Sequence, residues 1–210
     1  MAIVINGSGT VTGLAVGGLP DGTVDAGTLA TDSVTAAKIA ANSVDSAELV
    51  DGAVDASHLS GGDNTPSFKV LGVDGTSIPN ATWTKVIFST EVWDTDNAFA
   101  SSRFTVPTGK GGKYQFHFRV KISGVDDNEY LRAHLYKNGT RVEASGNEFH
   151  SPGSDLQVPS QGFYAITLVP TDYIELYAYH NEGGTRTMFG GTNEATSDAS
   201  YLQAIRLIGV

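Results

Sequence analysis

Between residues 14 and 59 an apolar side chain recurs at every fifth position, among small and polar neighbours. A continuous amphipathic helix does not give this pattern, because five steps of about 100° leave successive apolar residues about 140° apart around the axis. A flat strand does not give it either, since an odd spacing sends alternate side chains to opposite faces. Heptad coiled coils and collagen helices have other periods. The apolar positions are Leu14, Leu19, Val24, Leu29, Val34, Ile39, Val44, Leu49, Val54 and Leu59.

The repeat fits a unit of ten residues in which an extended piece alternates with one helical turn. In TVDAGTLATD, SVTAAKIAAN, SVDSAELVDG and AVDASHLSGG, a residue able to cap a helix follows each valine, as Thr35 and Asp45 do. Pairs such as Asp-Gly and Asn-Ser then supply the turn back to an extended segment. One such chain buries little apolar surface, so the row of apolar residues predicts association with copies of itself. We expect a slender homo-oligomeric stalk of three chains, and the alternative is a flexible low-complexity linker.

From residue 66 onward the pattern changes to short runs of apolar and polar alternation separated by turn residues. The clearest run is KYQFHFRVKI, in which every second residue from Tyr114 to Ile122 is apolar and the residues between are polar. Asn138-Gly139 is a strong hairpin turn. These features predict an all-β jelly-roll sandwich without helices longer than a turn. The predicted strands are 67–72, 83–88, 103–106, 113–122, 130–137, 141–145, 162–169, 173–180 and 200–208.

Composition divides the chain at the same place. The nine Phe, eight Tyr and two Trp residues all lie after Asp63, and the first 62 residues carry seven acidic residues against Lys38 as their one base. A segment without aromatic residues can hardly build a globular core of its own. The GGDNTP stretch at 61–66 is rich in turn residues and suits a hinge. We therefore predict a repetitive stalk over residues 1–62 and a jelly-roll head over residues 63–210.

Charge and cysteine content exclude several classes of protein. The chain has no cysteine, which removes disulfide scaffolds, zinc–thiolate sites, iron–sulfur sites and thiol nucleophiles. Its net charge of −10 disfavours nucleic-acid binding, which needs a basic stripe to displace counterions. The sequence contains no apolar run long enough to span a membrane, and MAIVINGSGT lacks the basic start and apolar core of a signal peptide. We expect no nucleic-acid partner, no membrane insertion and no export by the usual route.

The first 60 residues resemble the N-terminal stalks of bacteriophage tail-fibre and virion-fibre proteins. The resemblance rests on the opening VINGSGTVTGLAVGGLPDGTV and on decads of the SVTAAKIAANSV type. It implies a surface fibre of the virion, assembled in the host cytoplasm and attached to other virion proteins through its N-terminal segment. The apolar decad positions would then serve attachment and trimer formation.

The head resembles the complement globular-head family, which shares a trimeric jelly roll with tumour necrosis factor. The likeness rests on Phe88, Asp94 and Phe99, on the G-x-Y-x-F-x-F run over 112–118, and on SYLQAI at 200–205. Two features depart from the family pattern. Phe104 comes two residues early, and 108–111 carries extra residues, so the loop before the next strand should differ. The resemblance implies a homotrimeric fold and says little about the ligand.

Motifs for catalysis and metal binding are weak. The sequence contains no G-x-S-x-G elbow, Walker loop or H-E-x-x-H, so we expect no enzyme activity. His117, His134 and His180 fall on the polar sides of three predicted strands, where hydrogen-bonded surface residues are more common than metal ligands. Asp126-Asp127-Asn128-Glu129 is like an oxygen-rich calcium loop, but a solvated acidic loop explains it as well. We expect no resident cofactor, with calcium as the one ion to test.

The loops give more information about function than the motifs. In a jelly roll with both chain ends at its base, strand alternation places 181–199, 146–160 and 123–129 at the far end, and 170–172, 138–140 and 108–112 at the stalk side. Long loops away from the anchor are where a rigid scaffold presents contacts, although long loops also drift without a function. Arg and aromatic residues dominate binding interfaces. The candidate receptor contacts are Asp126, Asp127, Phe149, His150, Arg186, Met188 and Phe189.

Two functions fit these observations. The first is a bacteriophage tail fibre whose trimeric head recognises a bacterial cell-surface glycan or an outer-membrane receptor. The second is a structural role, as a capsid decoration fibre or a collar spike. A depolymerase would need a carboxylate cleft and a much longer chain.

Overall fold

The computed structural model describes residues 64–193, 195–196 and 198–207, with short stretches at 4–5, 11–12, 31, 34–40 and 44. The chain divides into two compact units, Met1–Ala53 and Val54–Val210. The predicted boundary at residues 62 and 63 lies outside the described residues and stays a prediction.

The N-terminal unit contains one described element that tests the proposed decad unit. β1 (Val4–Ile5) and β2 (Val11–Thr12) pair as antiparallel strands. A 3-10 turn over Ala36–Lys38 begins directly after Thr35, and the Lys38 N–H donates to the Thr35 carbonyl at 2.8 Å. This turn lies where the decad unit predicts one, although it ends at Lys38, one residue before Ile39, and the stalk itself stays a prediction.

The apolar positions of the stalk are only partly described. Val34, Ile39 and Val44 are exposed in the single chain. The other stalk positions lie outside the described residues: Leu14, Leu19, Val24, Leu29, Leu49, Val54 and Leu59.

The C-terminal unit is built from β-strands, because alternating apolar residues give its long strands one face to bury. Among its described residues, a 3-10 turn covers Glu143–Ser145. The strands are β3 (Ser67–Gly72), β4 (Ser77–Ile78), β5 (Thr84–Lys85), β6 (Phe88–Asp94), β7 (Phe99–Ala100), β8 (Arg103–Thr105), β9 (Gly112–Val125), β10 (Tyr130–Lys137), β11 (Thr140–Arg141), β12 (Asn147–His150), β13 (Leu156–Leu168), β14 (Tyr173–His180), β15 (Arg186–Thr187) and β16 (Tyr201–Leu207).

Most of these strands form two antiparallel sheets. Within the described residues, one sheet has five strands in the order β13-β9-β16-β3-β6. The other has the order β11-β10-β14-β8-β7, with β12 added to β10 and β5 added to β14. The chain passes from one sheet to the other between β3 and β5, after β5, β6, β8, β9, β12 and β13, and between β14 and β16. This order of crossing is that of a jelly roll, so the predicted fold class is confirmed.

The core lies between the two sheets. Tyr114, Phe116 and Phe118 point inward from β9 and are completely buried, as their alternation predicts. The Phe68 ring stacks on the Phe104 ring with centroids 4.9 Å apart. Each fully buried side chain of this size contributes roughly 2–3 kcal/mol of burial free energy, so this aromatic cluster holds the two sheets together.

The predicted strands agree with the structure where alternation is long. The predictions for 67–72, 130–137 and 173–180 match β3, β10 and β14 residue for residue. The prediction of a strand over 141–145 is wrong, because the chain turns there into the Glu143–Ser145 helical turn. Within the predicted 83–88, only Thr84–Lys85 and the first residue of β6 are strand, and the rest of β6 was not predicted. β12 and the two-residue strands β4, β7 and β15 were not predicted either. β6 alternates around Ser, Thr and Glu, and β12 has all four residues exposed, so neither shows a clear apolar stripe.

Candidate functional site

The connections after β9, β12 and β14 meet at one end of the sandwich, as the sequence predicts, but the first two are shorter than the predicted loops 123–129 and 146–160. β9 continues to Val125, and β12 and the start of β13 occupy 147–150 and 156–160. The Asp126 N–H donates to the Glu182 carboxylate at 2.6 Å, and the Asp155 N–H donates to Asp126 Oδ1 at 2.9 Å. The Asn128 N–H donates to the Ser151 carbonyl at 3.1 Å. These bonds join the loops after β9, β12 and β14 into one surface, which we call the tip.

The short connections meet at the opposite end. Asn138 Nδ2 donates to Asp172 Oδ1 at 2.7 Å, and the Tyr173 N–H donates to Asn138 Oδ1 at 2.8 Å. Asp172 Oδ2 accepts from the Val169 N–H at 2.9 Å and pairs with Lys137 Nζ at 2.8 Å. The hydrogen bond from Lys137 lowers the pKa of Asp172 from 3.8 to about 2, with further help from the Val169 N–H.

This carboxylate makes the stability of the head depend on pH. Because folding lowers the pKa of Asp172, its contribution is complete above about pH 4 and is lost as the pH falls toward 2. We expect Asp172→Asn to reduce the free energy of unfolding by about 2 kcal/mol at pH 7 and by much less at pH 2.5. Urea unfolding at both pH values measures the difference. Glu91→Gln, at an exposed carboxylate on β6, is the control, and its free energy of unfolding should stay close to that of the parent at both pH values. A loss of stability in Asp172→Asn that is the same at both pH values would contradict this account.

Five of the seven predicted contact residues lie at or near the tip with exposed or half-exposed side chains. Asp126 and Asp127 are exposed in the turn between β9 and β10. Phe149 is exposed on β12. His150 Nε2 bonds to Glu148 Oε1 at 2.7 Å, and this hydrogen bond raises the pKa of His150. Arg186 is half-buried and forms an ion pair with Glu182.

The structure corrects the expectation that Met188 and Phe189 are presented to solvent. Met188 is 1% exposed and forms a bridge with Ile122, because β15 folds back against β4 instead of extending from the tip. Phe189 is half-buried, and its N–H donates to the Lys121 carbonyl at 2.9 Å. Lys121 Nζ also lies 5.2 Å from the Phe189 ring centre. Met188 is thus a packing residue, and Phe189 lies beside the five-stranded sheet.

The candidate metal ligands do not assemble. Within the described ranges, no group of three His, Asp or Glu side chains is placed to hold a metal ion. His180 is completely buried, contrary to its predicted polar position, and its Nε2 bonds to the Ile78 carbonyl at 2.8 Å. His117 and His134 lie on different sheets. The structure therefore gives no support for calcium at Asp126–Glu129 or for a shared histidine site.

The outward side of the five-stranded sheet carries an exposed apolar surface that the sequence did not single out. Phe163 is 66% exposed, Trp93 40% and Ile205 38%. They line a groove of about 340 Å³ together with His117 and Ala204. We call this surface the apolar face. Phe163 and Tyr164 are neighbours on one strand, so one of the two rings has to face outward, and that signal was available in the sequence.

His117 lies at the centre of the apolar face. Its ring stacks on the Phe163 ring, with centroids 3.8 Å apart and planes 10° from parallel. The Tyr201 hydroxyl lies 2.8 Å from His117 Nε2. Burial lowers the pKa of His117, and the neighbouring Arg119 lowers it further. The imidazole is therefore neutral at pH 7, as an aromatic surface that excludes water requires.

Comparison with known proteins gives structural similarities only. No family model matches the chain, and no curated protein matches it. The globular domain of zebrafish complement 1qA is similar to this chain at 17% identity, covering 68% of this chain and 98% of that one, with a TM-score of 0.47. Two crystal structures of murine APRIL are also similar to this chain, and each match covers 67% of this chain and 98% of that one. The structure at pH 5.0 has 14% identity and a TM-score of 0.48, and the structure at pH 8.5 has 11% identity and a TM-score of 0.46. The jelly roll itself follows from the strand order given above.

The described residues also bear on membrane insertion. Among them, no helix has the length and apolar character needed to cross a bilayer.

Proposed function

We propose that this chain is a bacteriophage virion fibre protein, a tail fibre whose trimeric head binds the bacterial surface. The observation that carries the proposal is the apolar face of the head. It exposes large apolar side chains to solvent in a chain that also contains a decad repeat. In this proposal the N-terminal segment attaches to other virion proteins, and the fibre is assembled in the host cytoplasm. The chain acts by binding and not by catalysis.

Self-association explains the apolar face. An exposed phenylalanine stacked on a neutral histidine, beside Trp93 and Ile205, is unfavourable in water unless another surface covers it. In a closed ring of three chains the apolar face of every chain is covered by a neighbour, so no copy of the face stays exposed. The exposed Val34 and Ile39 of the decad repeat need the same cover. A homotrimer therefore supplies cover for both units of the chain.

Receptor contact is assigned to the tip. In the proposed trimer three copies of Asp126, Asp127, Phe149, His150 and Arg186 act together, so weak single contacts gain avidity on a repetitive cell surface. Phe189 contributes at the edge of the tip, and Met188 supports the segment from within. The receptor is a bacterial cell-surface glycan or an outer-membrane component.

A structural role is the second candidate, since a decad stalk also suits a capsid decoration fibre or a collar spike. Electron microscopy of virions decorated with gold-labelled antibody against residues 63–210 separates the two. We expect label at the end of the tail, and purified chain should compete with the virions for adsorption to cells. Label on the capsid or the collar, without competition, would establish the structural role. Absence of label from the virions would contradict both.

A further inference from the structure

The outward side of the second sheet carries a continuous run of aromatic rings. Each ring is half-exposed or exposed, and neighbouring ring centres along the run lie between 4.0 and 6.1 Å apart. The run starts at the tip and continues along the sheet. We call it the aromatic face, and its members are His150, Tyr130, Tyr179, Trp83, His134, Tyr136 and Tyr177.

The aromatic face is assembled from separate parts of the chain. On β10 the half-exposed Tyr130, His134 and Tyr136 alternate with buried leucine and alanine. On β14 Tyr177 and Tyr179 alternate with buried residues in the same way. Trp83 precedes β5 and joins the two strands, because its ring centre lies 5.2 Å from that of His134 and 5.3 Å from that of Tyr179.

The charges on this surface cancel one another. The Arg141 guanidinium lies 5.0 Å from the Trp83 ring centre and pairs with Glu143 at 2.6 Å. The Arg132 guanidinium lies 4.5 Å from the Tyr130 ring centre and pairs with Glu148. Each cation is thus held over a ring and compensated by a carboxylate. An anionic polymer, which binds by replacing counterions, finds no uncompensated positive charge at these pairs.

The chemistry of the aromatic face differs from that of the apolar face. Its outward side chains on β10 and β14 are aromatic or charged, and every one of them ends in a polar group. A sugar ring has an apolar C–H face and a rim of hydroxyls. Aromatic rings match the first, while tyrosine hydroxyls and the arginine and glutamate side chains match the second. A protein interface that excludes water is formed by exposed aliphatic side chains as well, such as Ile205 on the opposite sheet.

We propose that the aromatic face is a binding site for a neutral glycan. This inference goes beyond the proposed function, which assigns receptor contact to the tip, and rests on it only for the bacterial source of the glycan. The aromatic face and the apolar face lie on opposite sides of the sandwich, so a trimer formed through the apolar face leaves three aromatic faces accessible. The rings already pack against one another in the unbound chain, so binding orders few side chains.

The test uses the full-length chain on a microbial glycan array that carries neutral and acidic polysaccharides. We expect signals on neutral glycans, and a Kd for the strongest one that rises about tenfold or more in Trp83→Ser. Tyr173→Ser is the matched control, because Tyr173 is a half-exposed tyrosine of β14 that lies under Arg103 and outside the run. Its Kd should stay within about twofold of the parent, as a surface substitution away from the site allows. Light scattering and urea unfolding confirm that both variants fold and assemble.

Two further measurements locate the glycan independently of Trp83→Ser. Tyr130→Ser removes a ring from another strand and should also weaken binding. Trp93→Phe leaves Trp83 as the only tryptophan, so its fluorescence should change when the best neutral glycan is added. An unchanged Trp83 signal together with binding that both serine variants retain would overturn the proposal and move the glycan to another surface, such as the tip.

Other outcomes also decide the question. Silence on all neutral glycans, or stronger binding to acidic glycans or single-stranded DNA, overturns the inference. Cell binding that survives periodate oxidation of surface glycans but not protease treatment would assign the face to a protein partner and overturn it as well. If neutral glycans bind through Trp83 but the virions carry no label, the proposed function fails while this inference stands.

Discussion

Phe163→Asp is expected to dissociate the proposed trimer into monomers at micromolar chain concentration. Phe163 is the most exposed large apolar residue on the apolar face, so the substitution leaves the core of the single chain intact. In a trimer the substitution would bury one carboxylate per chain beside the His117 ring. An unpaired buried charge costs several kcal/mol per copy. Sedimentation equilibrium should show the mass falling from three chains to one.

Ile87→Asp is the matched control for this prediction. Ile87 is another exposed aliphatic residue, but it lies between β5 and β6 and not on the apolar face. It should keep the oligomeric state of the parent. If Ile87→Asp dissociates the protein and Phe163→Asp does not, the chains associate through a different surface. A parent protein that is already monomeric would refute the trimer itself.

Gly190→Ala is expected to lower the free energy of unfolding of the head by about 3 kcal/mol, as forced overpacking of a tight site does. A Cβ at this position would lie 2.0 Å from the Asp74 backbone nitrogen and 2.2 Å from the Gly72 carbonyl oxygen. These are backbone atoms, so they cannot rotate away. The Gly190 N–H also donates to Asp74 Oδ1 at 2.9 Å, and a displaced chain would lose that bond together with the burial of Met188.

Gly184→Ala tests whether the effect is specific to the close approach. Gly184 belongs to the same connection, and a Cβ added there would have Arg186 Nη1 as its nearest atom, at 3.7 Å, which is an ordinary contact. The stability of this variant should stay within about 0.5 kcal/mol of the parent. Urea unfolding at equal chain concentrations compares the two variants, because assembly makes stability depend on concentration. Equal urea midpoints for Gly190→Ala and Gly184→Ala would mean that the segment 188–191 shifts to admit the new Cβ without loss of stability.

The alternation of apolar residues was enough to predict β3, β10 and β14 to the residue, because a strand half-buried in a sandwich needs that pattern along its whole length. β12 could not be predicted in this way, since all four of its residues are exposed and the strand is held by its pairing to β10. The convergence of the three tip loops could be predicted as well, because it follows from strand alternation between two sheets.

The placement of single residues within the candidate site could not be predicted in the same way. Met188 looked like an exposed loop residue, but β15 pairs with β4, a segment more than a hundred residues earlier, and this long-range pairing buries it. Five of the seven rings of the aromatic face occupy alternate positions of β10 and β14, which the sequence shows. Their junction is not shown by the sequence, because Trp83 reaches them from a third segment of the chain.

The all-β jelly roll of the head, most of its inward-facing residues and the end at which its three tip loops meet follow from the sequence, since they depend on local periodicity and on the order of strands. The contacts between outward side chains, in contrast, could be read from the folded chain alone. The stacking of His117 on Phe163, the burial of Met188 and the contacts of Trp83 with three other rings all depend on register between strands distant in sequence. Periodicity fixes the face of a strand on which a side chain lies, and pairing register fixes its neighbours.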